Sequence, residues 1–340
     1  MSRTARAVLL TDLHLRCDYL PGFLTKQVKT LTRLVNTKPP EYVVINGDIF
    51  HRRNPKGEEL LAFRTLLESF KCKEIIINRG NHDTIRKDGS SETTLTLFSD
   101  IAKVVTDTET VRMGGVDFDI IPHYEDEQRI IEDLKKTDNS VFGHFGYDHC
   151  LANSGYPYQS YVKAAHFKKK PLTFLGHIHK PQIKNNIYIL GTQYSTSYGE
   201  ANARKYLHEL IFRDGAVEVI RKPIEYGIKH IVCSPATLED MVNQHKFKNF
   251  YILLRVKLDH LDSTLESKIE DHILKQHPVN HLEFAFEDVL PKFESAYTPS
   301  GVVSQLDDTL ISKYLDDKNS VFSKKELLST LDEIRSYESN

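Results

Sequence analysis

The sequence is poor in several residue types: it has no tryptophan, three methionines and four cysteines among 340 residues, and neither sign of charge dominates. Cys17, Cys72, Cys150 and Cys233 show neither paired metal-ligand spacing nor the density of a small disulfide-bonded domain. We therefore expect free thiols and a reducing, cytoplasmic compartment. The net charge of −2 excludes recruitment of nucleic acid by a global positive field, so such binding must use local patches.

Long apolar runs are also missing. The stretch from Met1 to Leu10 is too short in apolar residues for a signal peptide, and no later segment approaches a membrane span. The hydrophobic fraction of 40% and the charged fraction of 27% are ordinary for a globular protein. With enough length for about two domains and a sizeable core, the composition is typical of a soluble enzyme.

What the sequence does contain is a series of short polar segments, each of which directly follows an apolar run. In chain order they are Asp12-Leu13-His14, Gly47-Asp48, Gly80-Asn81-His82-Asp83, Gly143-His144 and Gly176-His177-Ile178-His179. The preceding runs are typical of buried strands, and loops at strand ends converge in a layered α/β fold. The pattern therefore predicts one site built from five loops.

The residue types in these segments indicate the chemistry. Aspartate, histidine and asparagine without cysteine suit a pair of hard or borderline divalent cations that act on phosphate esters. Asp12 and His14 are two positions apart at a strand end, so their side chains leave the same side of the backbone, and His177 and His179 repeat the spacing. A carboxylate such as Asp48 can bridge two cations through its two oxygens.

The third segment combines a neutral ligand with an acid-base group. Asn81 supplies an amide oxygen that binds a hard ion without adding negative charge to a site that admits phosphate. His82 follows it and precedes Asp83, and a histidine oriented by a carboxylate is typical of a general acid for a leaving oxygen. A single Asp-x-His or Gly-Asp is common by chance, whereas Asn-His-Asp after a strand is a poor core sequence and a poor turn.

Hydrophobic periodicity predicts alternating strands and helices up to about residue 225. Helices are expected after the first strand, over Gly57 to Ser69 and over Glu125 to Lys136, the last a charged helix on the outside. Gly114-Gly115 and Arg213-Asp214-Gly215 predict hairpins. The expected fold class is α/β (α+β), with a two-layer sheet core flanked by helices.

Two further regions follow this core. Residues 228–290 read as strand, helix, strand, helix, strand, which predicts a small α+β unit without a motif of its own. Residues 302–337 read as two short amphipathic helices. Because such helices cannot form a stable core alone, their apolar stripes must dock on the main body or on another chain.

Other residues allow two interpretations. Arg52-Arg53, Arg86-Lys87 and Lys168 to Lys170 are candidate contacts to DNA phosphates or ordinary solvated surface. Tyr156, Tyr158 and Tyr161 either stack on bases of an opened strand or pack in the core and anchor a loop.

Taken in order, the five segments resemble the five metal-binding blocks of the calcineurin-like metallophosphoesterase superfamily. Within it, Asn46 to His51 and Asn54-Pro55 resemble the double-strand-break repair nucleases, the branch of SbcD-type and meiotic recombination eleven-like enzymes. Ile121 to Tyr124 and Gly191 to Ser197 resemble further segments of that branch. The similarity covers residues 5–225, and the short C-terminal part is similar to a compact prokaryotic or phage-encoded version.

The resemblance implies roles for individual residues. One manganese ion would be held by Asp12, His14, Asp48 and His179, and a second by Asp48, Asn81, His144 and His177. His82 would act on the leaving group with Asp83 orienting it, and His51 matches a histidine close to the site. Position 16 departs from the family, because Leu15 is followed by Arg16 where glycine is usual.

We therefore expect a manganese-dependent DNA exonuclease and endonuclease subunit of an SbcCD-type repair complex, working as a homodimer. Residues 228–290 would be a DNA-capping domain, and residues 302–337 would bind the coiled-coil base of an SbcC-type ATPase or dock back on this chain. One alternative is a phosphoesterase for cyclic nucleotides or another small phosphodiester, and another is a non-catalytic scaffold with the same fold. Residues 228–290 and the C-terminal tail disfavour the small-molecule phosphoesterase. The scaffold is disfavoured because every predicted ligand position carries a metal-binding residue.

Overall fold

The computed structural model describes residues 4–86, 92–153, 155–244, 249–259, 263–276 and 279–286. The chain divides into two compact units, Met1–Glu287 and Asp288–Asn340, and the second lies outside the described residues. The partner-binding segment predicted at residues 302–337 falls in that second unit, so it stays a prediction.

The strands of the first unit alternate with helices along most of its length. The strands are β1 (Ala5–Leu10), β2 (Tyr42–Asn46), β3 (Glu74–Asn78), β4 (Lys103–Val105), β5 (Glu109–Met113), β6 (Val116–Ile121), β7 (Ser140–Gly143), β8 (Thr173–Leu175), β9 (Gln182–Lys184), β10 (Ile187–Ile189), β11 (Tyr206–Arg213), β12 (Ala216–Pro223), β13 (Gly227–Cys233), β14 (Phe250–Leu258) and β15 (Val279–Phe286). The helices are α1 (Phe23–Asn36), α2 (Gly57–Ser69), α3 (Glu127–Lys136), α4 (Leu238–Gln244) and α5 (Ser263–Gln276).

Two six-stranded sheets form the central layers, in the orders β12-β11-β1-β2-β3-β4 and β5-β6-β7-β8-β10-β9. In the first, β1 to β4 are parallel and β11 and β12 extend one edge antiparallel. In the second, β6, β7, β8 and β10 are parallel between antiparallel edge strands. This two-layer mixed α/β architecture flanked by helices confirms the predicted fold class, and it gathers the loops after the parallel strands at one edge.

The first sheet is covered on both faces, which explains its continuous apolar strands. Every residue of β1 is buried. Val8 and Leu10 face the helices and pack in a cluster with Phe23 of α1. Leu9 faces the second sheet and packs in a cluster with Phe142 of β7. Parallel strands buried on both faces lack the polar alternation of a half-exposed strand.

Two asparagines join the two sheets at the ends of their strands. The side-chain amide of Asn46 donates to the carbonyl oxygens of Gly143 (2.8 Å) and Phe174 (3.3 Å). The Asn78 amide donates to the Asn46 side-chain oxygen (2.9 Å) and to the carbonyl oxygen of Ile121 (3.1 Å). Because a buried amide donor is costly to leave unpaired, these bonds fix the separation and register of the layers.

The predicted bounds agree with the structure for α2 and differ from it for α3. Helix α2 has the predicted bounds, Gly57–Ser69. Helix α3 begins at Glu127 rather than Glu125, because the Asp126 side chain caps it by accepting from the Gln128 amide (2.9 Å). Its description as an outside, charged helix was incomplete, because Ile130 and Leu134 are buried in a third cluster.

Among the described residues of 227–286, β13, β14 and β15 form a separate three-stranded parallel sheet with α4 and α5. Its strands and helices follow the predicted order. It joins the main layers at Gly227, where φ is +104° and an added Cβ would lie 2.5 Å from Thr30 Cγ2 of α1, so glycine is required. The capping role proposed for residues 228–290 stays a prediction.

Candidate metal centre

The loops after β1, β2, β3, β7 and β8 bring the five polar segments together. The side chains of all seven predicted ligands meet there, and they are Asp12, His14, Asp48, Asn81, His144, His177 and His179. Most of them line a cavity of about 330 Å³, with Asp12 and His144 buried beneath it. Residues as far apart in the sequence as Asp12 and His179 thus share one site.

Left-handed backbone conformations aim these side chains. Asp12 (φ 50°), His14 (φ 43°), Asp48 (φ 53°) and His177 (φ 78°) all lie in the region that non-glycine residues avoid. The first two loops support each other, because the amides of Asp12 and His14 donate to the carbonyl oxygens of Gly47 (2.9 Å) and Asp48 (3.0 Å). Such strained residues cluster at functional sites, where the surrounding bonds hold them.

The glycines of the motifs make room for the ligands. A Cβ on Gly47 would lie 2.2 Å from His144 Nδ1, and Gly47 has φ +87°. A Cβ on Gly80 would lie 2.2 Å from Asp48 Oδ1. Glycine therefore precedes Asp48 and Asn81 because the loops approach each other closely there, and no larger residue fits beside the neighbouring ligand.

The first predicted ligand set converges on one point. His14 Nε2 lies 3.0 Å from His179 Nε2, and Asp12 Oδ1 lies 3.7 Å from the latter. Burial lowers the pKa of His14 to about 3, so its imidazole is neutral near pH 7. Two imidazole nitrogens at this separation need a proton or a cation between them, and the donor set suits a divalent cation.

The second predicted set contains an imidazole nitrogen without a hydrogen-bond partner. His144 is fully buried, its Nδ1 donates to the Asn46 carbonyl oxygen (2.6 Å), and its Nε2 has no hydrogen-bond partner although Asp48 Oδ1 is 3.2 Å away. His177 Nδ1 lies 2.9 Å from Asn81 Oδ1. A buried unpartnered ring nitrogen is costly unless it has a ligand to bind, so these residues fit a second cation.

Asp48 lies between the two sets. Its Oδ1 faces His144 Nε2 and its Oδ2 is 3.8 Å from His14 Nε2, so each carboxylate oxygen serves one set. Burial opposes ionisation of Asp48, yet the field of the nearby His144 imidazole holds the pKa of this carboxyl well below its usual range. Burial raises the pKa of Asp12, whose charge lies close to that of Asp48, so cations in the site stabilise both carboxylates.

His82 faces the same cavity, with its ring 5.0 Å from that of His14 and nearly perpendicular to it. Its Nδ1 lies 2.7 Å from the His51 carbonyl oxygen, and its amide donates to Asp48 Oδ1 (2.9 Å). Its ring also comes close enough to His14 and Asp48 for the three to form a candidate ligand group. The backbone of His51, rather than a carboxylate, therefore orients the ring.

The orienting contact expected from Asp83 is not the one in the structure. The Asp83 carboxylate accepts hydrogen bonds from the amides of Asp48 (2.9 Å), Ile49 (2.9 Å) and Gly80 (2.8 Å). Neighbouring residues of a tight turn point in different directions, so Asp83 ties together the loops after β2 and β3 while His82 faces the cavity. Burial raises the pKa of Asp83 to about 6, to which the nearby Asp48 charge adds.

Sequence reasoning did not assign functions to two side chains beside the site. Arg16 donates to the Thr196 carbonyl oxygen (2.6 Å), lies over the Tyr19 ring (3.7 Å) and comes within 3.4 Å of His51 Nε2. The departure from glycine at position 16 was its only signal. Glu200 contacts His179 Nδ1 (2.8 Å), and it lies beyond the last motif in sequence, so nothing in the motif pointed to it.

None of the described helices is both long and apolar enough to cross a membrane.

Several solved structures are similar to this chain at low identity. A purple acid phosphatase from yellow lupin (Lupinus luteus) seeds is 14% identical, with a TM-score of 0.43 over 65% of this chain and 54% of that one. An archaeal phosphodiesterase is 14% identical, with a TM-score of 0.34 over 64% and 99% of the two chains. The nuclease MPE of Pseudomonas putida is 15% identical, with a TM-score of 0.31 over 63% and 87%. The chain thus spans about half the length of the lupin enzyme.

No curated protein sequence matches the chain. The model of the calcineurin-like phosphoesterase family matches residues 5–181, which is more than half of the 340 residues and includes all five motifs. Members of this family hydrolyse phosphoester bonds with two divalent metal ions, and the ligand geometry fits that chemistry. The chain belongs to the calcineurin-like phosphoesterase family.

Proposed function

We propose that this protein is a manganese-dependent DNA nuclease, the catalytic subunit of an SbcCD-type end-processing complex. The observation that carries the phosphodiesterase part is the convergence of seven ligands and His82 on one cavity, with Asp48 between the two ligand sets. The segments Asn46 to His51 and Asn54-Pro55, which resemble those of repair nucleases, direct the proposal to DNA.

The ligand sets are assigned as follows. Asp12, His14, Asp48 and His179 would hold one cation, and Asp48, Asn81, His144 and His177 would hold the other. The carboxylate and amide oxygens suit manganese, and the imidazoles also suit other divalent cations such as zinc and iron. When bound, two divalent cations supply Lewis-acid activation of the phosphoryl group and of water.

His82 provides the proton for the leaving oxygen. Because the His51 carbonyl oxygen can only accept, the Nδ1 of His82 carries a hydrogen, and the opposite ring nitrogen is directed away from that bond. A second proton on Nε2 passes to the sugar oxygen as the phosphodiester bond breaks. The ring's position against His14 places this donor beside the first ligand set.

Exposed side chains near the cavity support a long substrate. Tyr156 and Tyr161 are 75% and 79% exposed, so they do not pack in the core, and in sequence both lie within three positions of the cavity-lining Tyr158. Exposed aromatic rings offer stacking surfaces for bases. The Arg52 side chain is also largely exposed, beside the loop of His51.

Two basic candidates have structural roles instead. Lys170 is buried and its ammonium donates to the Thr137 carbonyl oxygen, so it is not a DNA contact. Arg53 lies 3.4 Å from the carbonyl oxygens of Thr84 and Arg86, and it bridges the loops after β2 and β3.

One assay tests the reaction and the substrate together. Linear duplex DNA, a cyclic dinucleotide and an aryl phosphodiester are incubated with the full chain and Mn²⁺ or with EDTA. We expect Mn²⁺-dependent degradation of DNA that far exceeds turnover of the cyclic dinucleotide. Preference for the cyclic dinucleotide supports a small-molecule phosphodiesterase, and no turnover of any substrate with bound metal supports a scaffold.

The ATPase partner and the homodimer are tested separately. Deletion of residues 300–340 should abolish association with an SbcC-type ATPase and leave Mn²⁺-dependent hydrolysis of the aryl phosphodiester intact. A complex that forms equally well without the tail contradicts this part of the proposal. The mass of the full chain in solution distinguishes a homodimer from a monomer.

A further inference from the structure

Glu200 is a buried carboxylate that contacts a predicted metal ligand without belonging to any motif. Its Oε1 lies 2.8 Å from His179 Nδ1, on the opposite side of the ring from Nε2. Glu200 is 9% exposed and ends the short 3₁₀ turn Tyr198–Glu200, and an inference about it rests on the metal centre proposed above.

The surroundings of Glu200 fix the direction of its carboxylate. Thr192 Oγ1 donates to Oε2 (2.6 Å), and the Lys205 ammonium forms an ion pair with the same oxygen. The Thr196 amide and hydroxyl both donate to Oε1. With each oxygen occupied by donors from residues 192–205, the carboxylate cannot rotate away from the imidazole.

The ion pair with Lys205 keeps Glu200 charged although it is buried. Both side chains of this pair are buried, and a carboxylate stays ionised in the interior when an opposite charge lies against it. A carboxylate only accepts hydrogen bonds, so the proton of a neutral His179 must lie on Nδ1. The lone pair of Nε2 then faces His14 Nε2 (3.0 Å) and Asp12 Oδ1 (3.7 Å).

We propose that Glu200 is a positioning residue for the first cation: it holds His179 in the Nδ1–H tautomer, with Nε2 directed at the ligand set, and Lys205 keeps it in place. A carboxylate behind a metal-bound imidazole fixes the ring and raises its basicity as a ligand. Among the described contacts, none of the other predicted histidine ligands has a carboxylate at the ring nitrogen that points away from the ligand set. His144, for example, donates from that nitrogen to the Asn46 carbonyl oxygen.

The test compares two double variants that differ in a single group. Glu200→Leu/Lys205→Met and Glu200→Gln/Lys205→Met both remove the buried ion pair, so neither leaves an unpaired charge. Only the glutamine variant retains an oxygen that can accept from His179 Nδ1. Glu209→Gln is the matched control, because Glu209 is another buried carboxylate paired with Arg6 and Lys222, but it has no contact with the site.

The measurement is Mn²⁺ binding without DNA, from the free-ion EPR signal, together with thermal unfolding of the metal-free proteins. We expect the wild type and Glu209→Gln to bind two ions with equal affinity. The leucine variant should bind one ion about 10–100-fold more weakly, and the glutamine variant should recover most of that loss.

Equal affinities in two folded double variants would overturn the role of Glu200, because the acceptor would then make no difference to the cation. Failure of the wild type to bind Mn²⁺ would overturn the proposed metal centre itself. The two failures are therefore distinguishable.

Discussion

Two histidines in the metal centre reach the same orientation by different means. His144 is held by a backbone atom, the Asn46 carbonyl oxygen at the end of β2. His179 is held by the Glu200 side chain, which depends in turn on Lys205 and Thr192. A backbone acceptor survives any substitution that leaves the strand in place, whereas a side-chain acceptor can be removed by one mutation.

A third buried histidine shows what happens without either support. His208 in β11 is 1% exposed, and neither of its ring nitrogens has a hydrogen-bond partner among the described residues. It contributes nothing to the site. His144 and His179 thus differ from His208 in having an acceptor at Nδ1, whereas His14 shares with His208 a buried Nδ1 without a hydrogen-bond partner among the described residues.

The largest effect should come from substitution of Asp48, the residue shared by both ligand sets. Asp48→Ala removes one oxygen from each ligand set, so we expect both ions to bind weakly and phosphodiester hydrolysis to fall by more than the roughly 100-fold that loss of a supporting contact costs. Mn²⁺ titration and hydrolysis of the aryl phosphodiester measure this. Loss of one ion with the other unaffected would contradict the shared position of Asp48.

His82→Ala should separate catalysis from metal binding. Removal of a general acid lowers kcat by about 10²–10⁴-fold, and we expect two ions still to bind. Steady-state kinetics on linear DNA and Mn²⁺ titration are needed together. Because His82 also lies close to His14 and Asp48, a drop in metal affinity would instead make it a ligand.

Gly47→Ala tests whether the backbone support of His144 is as rigid as the geometry indicates. The new Cβ would meet the His144 ring at 2.2 Å, in a left-handed conformation that alone costs about 1–2 kcal/mol. Gly22→Ala is the control, since Gly22 has φ +73° with nothing within 4 Å. Chemical unfolding should show a greater loss for Gly47→Ala, accompanied by weaker binding of one ion. Equal losses in the two variants would mean that the loop gives way to the methyl group.

His208→Leu should give the smallest change, and in the opposite direction. Removing two unsatisfied buried nitrogens is expected to raise the free energy of unfolding by about 1–3 kcal/mol. Burial, helped by the Arg221 charge, lowers the pKa of His208 to about 4. Its neutral folded form is therefore fully stable above about pH 6.5, and stability is lost as the pH falls toward 4, because the unfolded chain takes up the proton first.

Unfolding of the metal-free protein at several pH values measures this. The gain in His208→Leu should grow between pH 6.5 and 4. A gain that does not depend on pH would show that the ring is already charged or hydrated.

The sequence predicted most of the fold, since strands buried on both faces and helices with one apolar face leave periodic patterns. The ligand residues could be located because each motif directly follows one of the parallel strands of the two sheets. The role of Asp83 could not be derived, because the direction of a side chain in a tight turn depends on bonds to Ile49 and Gly80. Glu200 was missed because its contact with His179 depends on the folding of residues 192–205 over the site.

The Asn46 and Asn78 amides that join the two sheets also set an order of events during synthesis. Their acceptors include the carbonyl oxygens of Ile121, Gly143 and Phe174 in the second sheet. These hydrogen bonds can therefore form only after the second sheet has been synthesised. A nascent chain that ends before residue 177 has four of the five motifs but lacks His177 and His179. Neither predicted ligand set is then complete, so the candidate metal centre assembles only after residues 177–179 have left the ribosome.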